Sequence, residues 1–100
     1  MTSYTLIIGP EAERDVEAAF TWYEGEHTGL GVSFSQELRA TYARILDRPL
    51  GYQVLRSGVR RATMRRFPYA VFYVLEDDII LVTAVVHTSR NPETWQRRTN

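Results

Sequence analysis

The chain has 100 residues, with 12 arginines and no lysine set against 12 acidic side chains, and a formal net charge of zero. This length allows one domain, spanning residues 1–100, which should bury roughly two thirds of its unfolded surface; the absence of cysteine excludes disulfide staples and thiolate metal centres. No segment approaches the roughly 20 apolar residues of a membrane helix, and Met1-Thr2-Ser3-Tyr4 does not open a signal peptide, so a soluble, cytoplasmic protein without a membrane partner is expected.

Tyr4, Leu6 and Ile8 alternate with Thr5, Ile7 and Gly9, the pattern of a short strand with a buried face. Gly9-Pro10 ends it. Pro10 suits a first helical turn, and Glu11, Glu13 and Asp15 place negative charge near the positive end of the helix dipole. Ala12, Val16, Ala19, Phe20 and Tyr23 then fall on one helical face. The stretch from Glu24 to Gly29 breaks this helix, and Leu30, Phe34, Leu38, Tyr42 and Ile45 set out a second one that runs toward Pro49. The short link makes the pair an antiparallel hairpin.

After the turn Pro49-Leu50-Gly51, residues Tyr52 to Leu55 read as a strand, and Ser57-Gly58 turns the chain into a further strand from Val59 to Phe67. Alternation there puts Ala62 and Met64 on one face and Arg61, Thr63 and Arg65 on the other. Pro68 interrupts. Tyr69 to Leu75 and Ile79 to Val86 are apolar on both faces, as central strands are, with Glu76-Asp77-Asp78 as the hairpin tip between them. Strand, helix, helix and about four more strands define an α+β fold, with a largely antiparallel sheet and the helical hairpin on one face.

The charges are sorted along the chain. Residues 1–50 hold four arginines against eight acids, and residues 51–100 hold eight arginines against four acids. Five of those arginines (Arg56, Arg60, Arg61, Arg65, Arg66) come within eleven residues, beside the uncharged interiors of two strands. A rigid sheet edged with guanidinium groups is suited to an anion, with nucleic-acid phosphate the first to consider. His27 beside Glu24 and Glu26 lacks the further ligands that a metal site needs, so no metal and no cofactor is expected.

Trp22-Tyr23-Glu24, Gly29-Leu30-Gly31 with Phe34 and Leu38, Pro49-Leu50-Gly51, Arg66-Phe67-Pro68-Tyr69 with Phe72-Tyr73, and His87, Arg90, Pro92 and Trp95 stand in an order that resembles the RelE/ParE superfamily of bacterial toxins, also called plasmid stabilisation proteins. The resemblance runs from about Tyr4 to Arg98. It implies the toxin of a type II toxin–antitoxin system, which inhibits growth and is neutralised by a cognate antitoxin. The superfamily contains two activities: ribosome-dependent cleavage of messenger RNA in RelE-like members, and non-hydrolytic poisoning of DNA gyrase in ParE-like members.

RelE-like enzymes carry basic residues at alternate positions of the strand before the Tyr-containing central strand, and a further Arg three residues before the Tyr matched here by Tyr73. Those positions are Arg61, Thr63, Arg65 and Ala70 in this chain, so two of the four are not basic. Cleavage through a ribose 2′-hydroxyl needs a base, cations for the phosphate and an acid for the leaving oxygen. Arginine supplies only the cation. The proton work falls to His87, with Arg90 matching the C-terminal Arg of the RelE pattern; Trp95 stands where RelE-like enzymes have a Tyr, and it stacks but transfers no proton.

The candidate catalytic set is therefore Arg61, Arg65, His87 and Arg90, with Trp95 and Arg60 as target contacts. Each has a plainer reading: a hydrogen-bonded structural histidine, arginines that solvate a strand face, and a tryptophan that covers the core. Three functions are consistent with the residues: a gyrase-trapping toxin, a ribosome-dependent endoribonuclease acting on mRNA, and an inactive module that binds only its antitoxin. Ala70, Thr63 and the missing proton-transfer set favour the first.

Overall fold

The alternation at the start of the chain becomes β1 (Thr5–Ile8), and the two amphipathic segments become α1 (Pro10–Glu26) and α2 (Leu30–Asp47) in a computed structural model that describes residues 3–90 and 92–99. Met1 and Thr2 of the opening segment, together with Asn91 and Asn100, lie outside the described residues. Three short elements follow: β2 (Gln53–Val54), β3 (Arg60–Thr63) and β4 (Tyr69–Glu76). The chain then runs through β5 (Ile79–His87) to a single helical turn, α3 (Glu93–Gln96). No helix among the described residues is long and apolar enough to cross a membrane.

The link between the long helices is tight because Gly29 takes φ +90°, which side chains disfavour, and because Glu24 closes it. One carboxylate oxygen of Glu24 accepts from the Gly29 N–H at 2.9 Å and the other from the Gly31 N–H at 3.0 Å. The last turn of α1 thus satisfies amides that the start of α2 leaves unpaired.

The strands form one sheet in the order β1-β5-β4-β3-β2, antiparallel except where β1 runs parallel to β5. β4 is central, which explains why it is apolar on both faces. On one face, Val71 and Tyr73 of β4 and Ile80, Val82 and Val85 of β5 meet Ala19, Tyr23, Phe34 and Ile45 of the helices. On the other, Val59, Ala70, Phe72, Ala84 and Val86 form a smaller core that Trp95 of α3 covers.

A bulge in β5 serves both cores. Phe72 pairs with Ala84 and Tyr73 with Val82, which leaves Thr83 as an extra residue. Even-numbered Ile80 and Val82 point to the helices before it and odd-numbered Val85 after it. Ala84 and Val86 are thereby turned to the Trp95 side.

β3 is shorter than the expected strand from Val59 to Phe67. The Met64 N–H still donates to the Tyr69 carbonyl at 2.9 Å, but the chain then bends so that Phe67 enters the aromatic core edge-on to Tyr23 and Phe34. Pro68, with no N–H to give, completes the break.

Candidate functional site

At one end of the sheet, on the Trp95 side, a small cavity of about 90 Å³ is lined by Arg61 and Thr63 of β3, Phe72 of β4, and His87, Arg90 and Trp95. Strand alternation puts Arg61 and Thr63 on this face, opposite Phe72 and Ala70 of β4. Ala70 is buried and contributes only a methyl group. The Arg61 guanidinium donates to the Gln53 side-chain oxygen of β2 at 3.2 Å. Among the described residues no carboxylate pairs with Arg61 or Arg90.

His87 ends β5 and is held by the turn that follows. Its Nδ1 accepts from the Ser89 backbone N–H at 3.1 Å and lies 2.7 Å from the Ser89 hydroxyl. A backbone amide can only donate, so the Nδ1 lone pair is occupied and the neutral ring carries its proton on Nε2. The ring stands edge-on to Tyr69, with centroids 5.3 Å apart. Burial pushes the Tyr69 phenol up from its ordinary value, while the nearby Arg90 charge pulls it the other way.

The remaining candidates are placed differently. Arg65 is exposed in the bend after β3 and does not line the cavity. Arg60 faces the helix side, where it donates to the Tyr52 carbonyl at 2.8 Å and the Leu50 carbonyl at 3.2 Å. Its neighbour across the sheet, Tyr73, donates to the Pro49 carbonyl at 2.5 Å. Together they pin the turn that joins α2 to β2. Trp95 stacks on Phe72 at 4.9 Å with an interplanar angle of 13° and is buried, so most of its ring is committed to the small core. Among the described residues no group of three or more His, Cys, Asp or Glu gathers in metal-binding geometry.

The family profile described as "ParE toxin of type II toxin-antitoxin system, parDE" matches residues 6–92. The chain belongs to the ParE toxin family. A solved structure described as "Chromosomal ParDE TA system from P. aeruginosa" superimposes with a TM-score of 0.76 at 15% identity, covering 85% of this chain and 96% of that one. At that identity the likeness establishes the fold. No curated protein sequence matches the chain.

This member of the ParE family also has a pair that local pattern does not reveal. Beyond facing the helix dipole, the Asp15 side chain reaches the sheet and accepts from both terminal nitrogens of Arg98, at 2.5 and 3.2 Å. The same carboxylate accepts from the Val85 N–H at 3.0 Å, and Arg98 donates to the Thr83 carbonyl at 3.2 Å. β1 pairs with β5 only as far as Val82, so these two side chains replace the missing strand along the next stretch of edge. The signal was present: Asp15 lies three residues after Ala12 and four before Ala19, inside the apolar stripe where a solvated acid does not belong.

Proposed function

We propose that this ParE-family toxin inhibits growth by binding DNA gyrase and trapping it on DNA, without cutting nucleic acid itself. The observation that carries this reading is the state of His87. With Nδ1 occupied by Ser89 and the proton on Nε2, the one imidazole at the cavity has no free lone pair with which to deprotonate a 2′-hydroxyl. The arginines beside it cannot accept a proton. Arg61, Arg90 and the Nε2–H form a set of donors only, suited to holding an anion.

RelE-like cleavage of ribosome-bound mRNA is the second reading, and one observation favours it: Arg61, His87 and Arg90 line a single cavity. In that reading His87 acts as the imidazolium, with Nδ1–H donating to the Ser89 hydroxyl 2.7 Å away and Nε2–H serving as the acid for the leaving oxygen, and the base has to come from the ribosome or its mRNA. Expression of the chain alone in growing cells separates the two. Broken chromosomal DNA with intact transcripts is expected; transcripts cut on ribosomes refute gyrase poisoning, and unimpeded growth with neither lesion refutes both.

The partner we propose is a cognate antitoxin encoded beside the toxin and acting with it in the cytoplasm. It lies as an extended or helical segment across the helical hairpin and the sheet, burying apolar side chains against exposed residues such as Val32 and Leu46. An acidic stretch of it meets Arg61, Arg65 and Arg90. Neutralising those three arginines together should weaken the purified complex and flatten its salt dependence; unchanged affinity contradicts this placement.

A further inference from the structure

His87 and Arg90 also line a second, larger cavity of about 510 Å³ on the helix side. Trp22 and Ala18 of α1 supply another part of its wall, and Tyr69 lines it too. The indole of Trp22 is 59% exposed, whereas Trp95 is 8% exposed. Trp22 also borders a shallow groove with Arg14, Glu17 and Thr21, so space lies on more than one side of the ring. Ala18, one turn earlier, adds only a methyl group and leaves the indole unobstructed.

Aromatic contacts link the ring to the rest of the wall. Trp22 packs edge-on to Tyr23 at 5.1 Å, Tyr23 meets Tyr69 at 6.0 Å, and Tyr69 meets His87 at 5.3 Å. This series of buried and half-buried rings connects the exposed indole to His87, beside which Arg90 lines the same wall. The one carboxylate in the wall, Asp15, is engaged by Arg98 and the Val85 N–H, which offsets its charge.

A flat aromatic platform beside hydrogen-bond donors, in a cavity wall whose one acid is engaged, recognises a planar ring that carries an anion. We infer that the Trp22–His87–Arg90 cavity binds the base–phosphate unit of a nucleotide, with the base on the Trp22 indole and the phosphate on Arg90 and His87. An extended acidic peptide added along the β5 edge is the competing occupant of this helix-side cavity, and the wall disfavours it; the acidic stretch of the antitoxin meets Arg90 from the Arg61 side of the sheet, where Arg90 also lines the small cavity. Peptides that add to a sheet draw affinity from free edge groups, and here the Val85 N–H and Thr83 carbonyl are already taken by Asp15 and Arg98. The inference goes beyond the proposed function and holds whether the toxin cuts RNA or traps gyrase. Its two sources, a free nucleotide and a single-stranded nucleic acid, share this chemistry.

The test uses the two tryptophans, since only Trp22 is open to solvent. Adenosine monophosphate and oligothymidylate should each quench Trp22 fluorescence saturably, and inorganic phosphate alone should not. Calorimetric titration should show Trp22→Ala weakening both by about tenfold or more. Arg90→Gln should weaken the nucleotide and leave adenosine unchanged. Both side chains are exposed, so unaltered thermal melting confirms that the variants fold. Similar affinity for the mononucleotide and the oligomer identifies the free nucleotide as the source, while much tighter, salt-sensitive binding of the oligomer identifies a strand. No saturable binding of either probe at millimolar concentration overturns the inference, as does affinity unchanged by Trp22→Ala. Displacement of the probes by polyglutamate at lower concentration than by nucleotide assigns the cavity to an acidic peptide and overturns it as well.

Discussion

Replacing Asp15 with alanine removes the acceptor that ties three parts of the chain together: α1, the free edge of β5 and the turn after α3. The Asp15 and Arg98 side chains are only 17% and 16% exposed. Breaking a fully buried pair from one side costs about 3–5 kcal/mol, but the stranded guanidinium keeps Glu11, 3.3 Å away, and the Thr83 carbonyl. A loss of about 2 kcal/mol for the charge is therefore expected. The orphaned Val85 N–H adds about 1 kcal/mol, for about 3 in all.

At 100 residues this lowers Tm by about 12–24 °C. Asp15→Asn keeps an acceptor for Val85 and should lose about half as much. Urea unfolding followed by circular dichroism measures each variant. A double-mutant cycle with Arg98→Met should give a coupling of about 1.5–2 kcal/mol, and the Val85 amide should lose hydrogen-exchange protection in Asp15→Ala but keep it in Asp15→Asn. Additivity within about 0.5 kcal/mol, or an Asp15→Ala cost below that, refutes the clip.

Arg60→Met frees the Leu50 and Tyr52 carbonyls and should destabilise by about 1–2 kcal/mol in the same assay. Gly31→Ala brings a Cβ within 2.9 Å of Glu24 Oε1 and 3.0 Å of the Phe20 carbonyl. Displacing the Glu24 cap should outweigh the gain in helix propensity and cost about 1 kcal/mol net. Burial, opposed by the Arg60 charge and aided by Tyr52, pushes the Tyr73 phenol up to about 12 from an ordinary value of 10.0, and burial with the charges of Asp15 and Glu13 also raises Tyr42. Their neutral forms belong to the folded state, so stability is complete below pH 10 and falls as pH rises through about 12. The urea midpoint measured against pH should show that fall, and Tyr73→Phe should make it shallower.

Local pattern revealed the helices and the central strands because α1, α2, β4 and β5 each bury a periodic face in the major core. It also placed Arg61 and Thr63 on one face, because alternation in β3 is strict up to Thr63. The strand ends earlier than alternation predicts because Phe67 obeys a tertiary demand, edge-on packing against the stacked pair Tyr23 and Phe34, that no nearest-neighbour rule contains. The same bend leaves Arg65 outside the cavity. Arg60 looked like one more cation in a run, yet it faces the turn carbonyls on the other side of the sheet. Asp15 and Arg98 are 83 residues apart, and only the folded path of the sheet brings them together. The Ser89 contacts that fix the His87 tautomer depend on the turn after β5, which residue identity alone does not specify.

The most direct test of non-hydrolytic toxicity combines purified toxin with DNA gyrase, supercoiled plasmid and ATP in one reaction, and with ribosomes translating a labelled message in another. Linear plasmid released after detergent and protease, with the message intact, is the expected result. A message cut on the ribosome, with the plasmid unbroken, contradicts it and shows that a base other than His87 Nδ1 completes an active site.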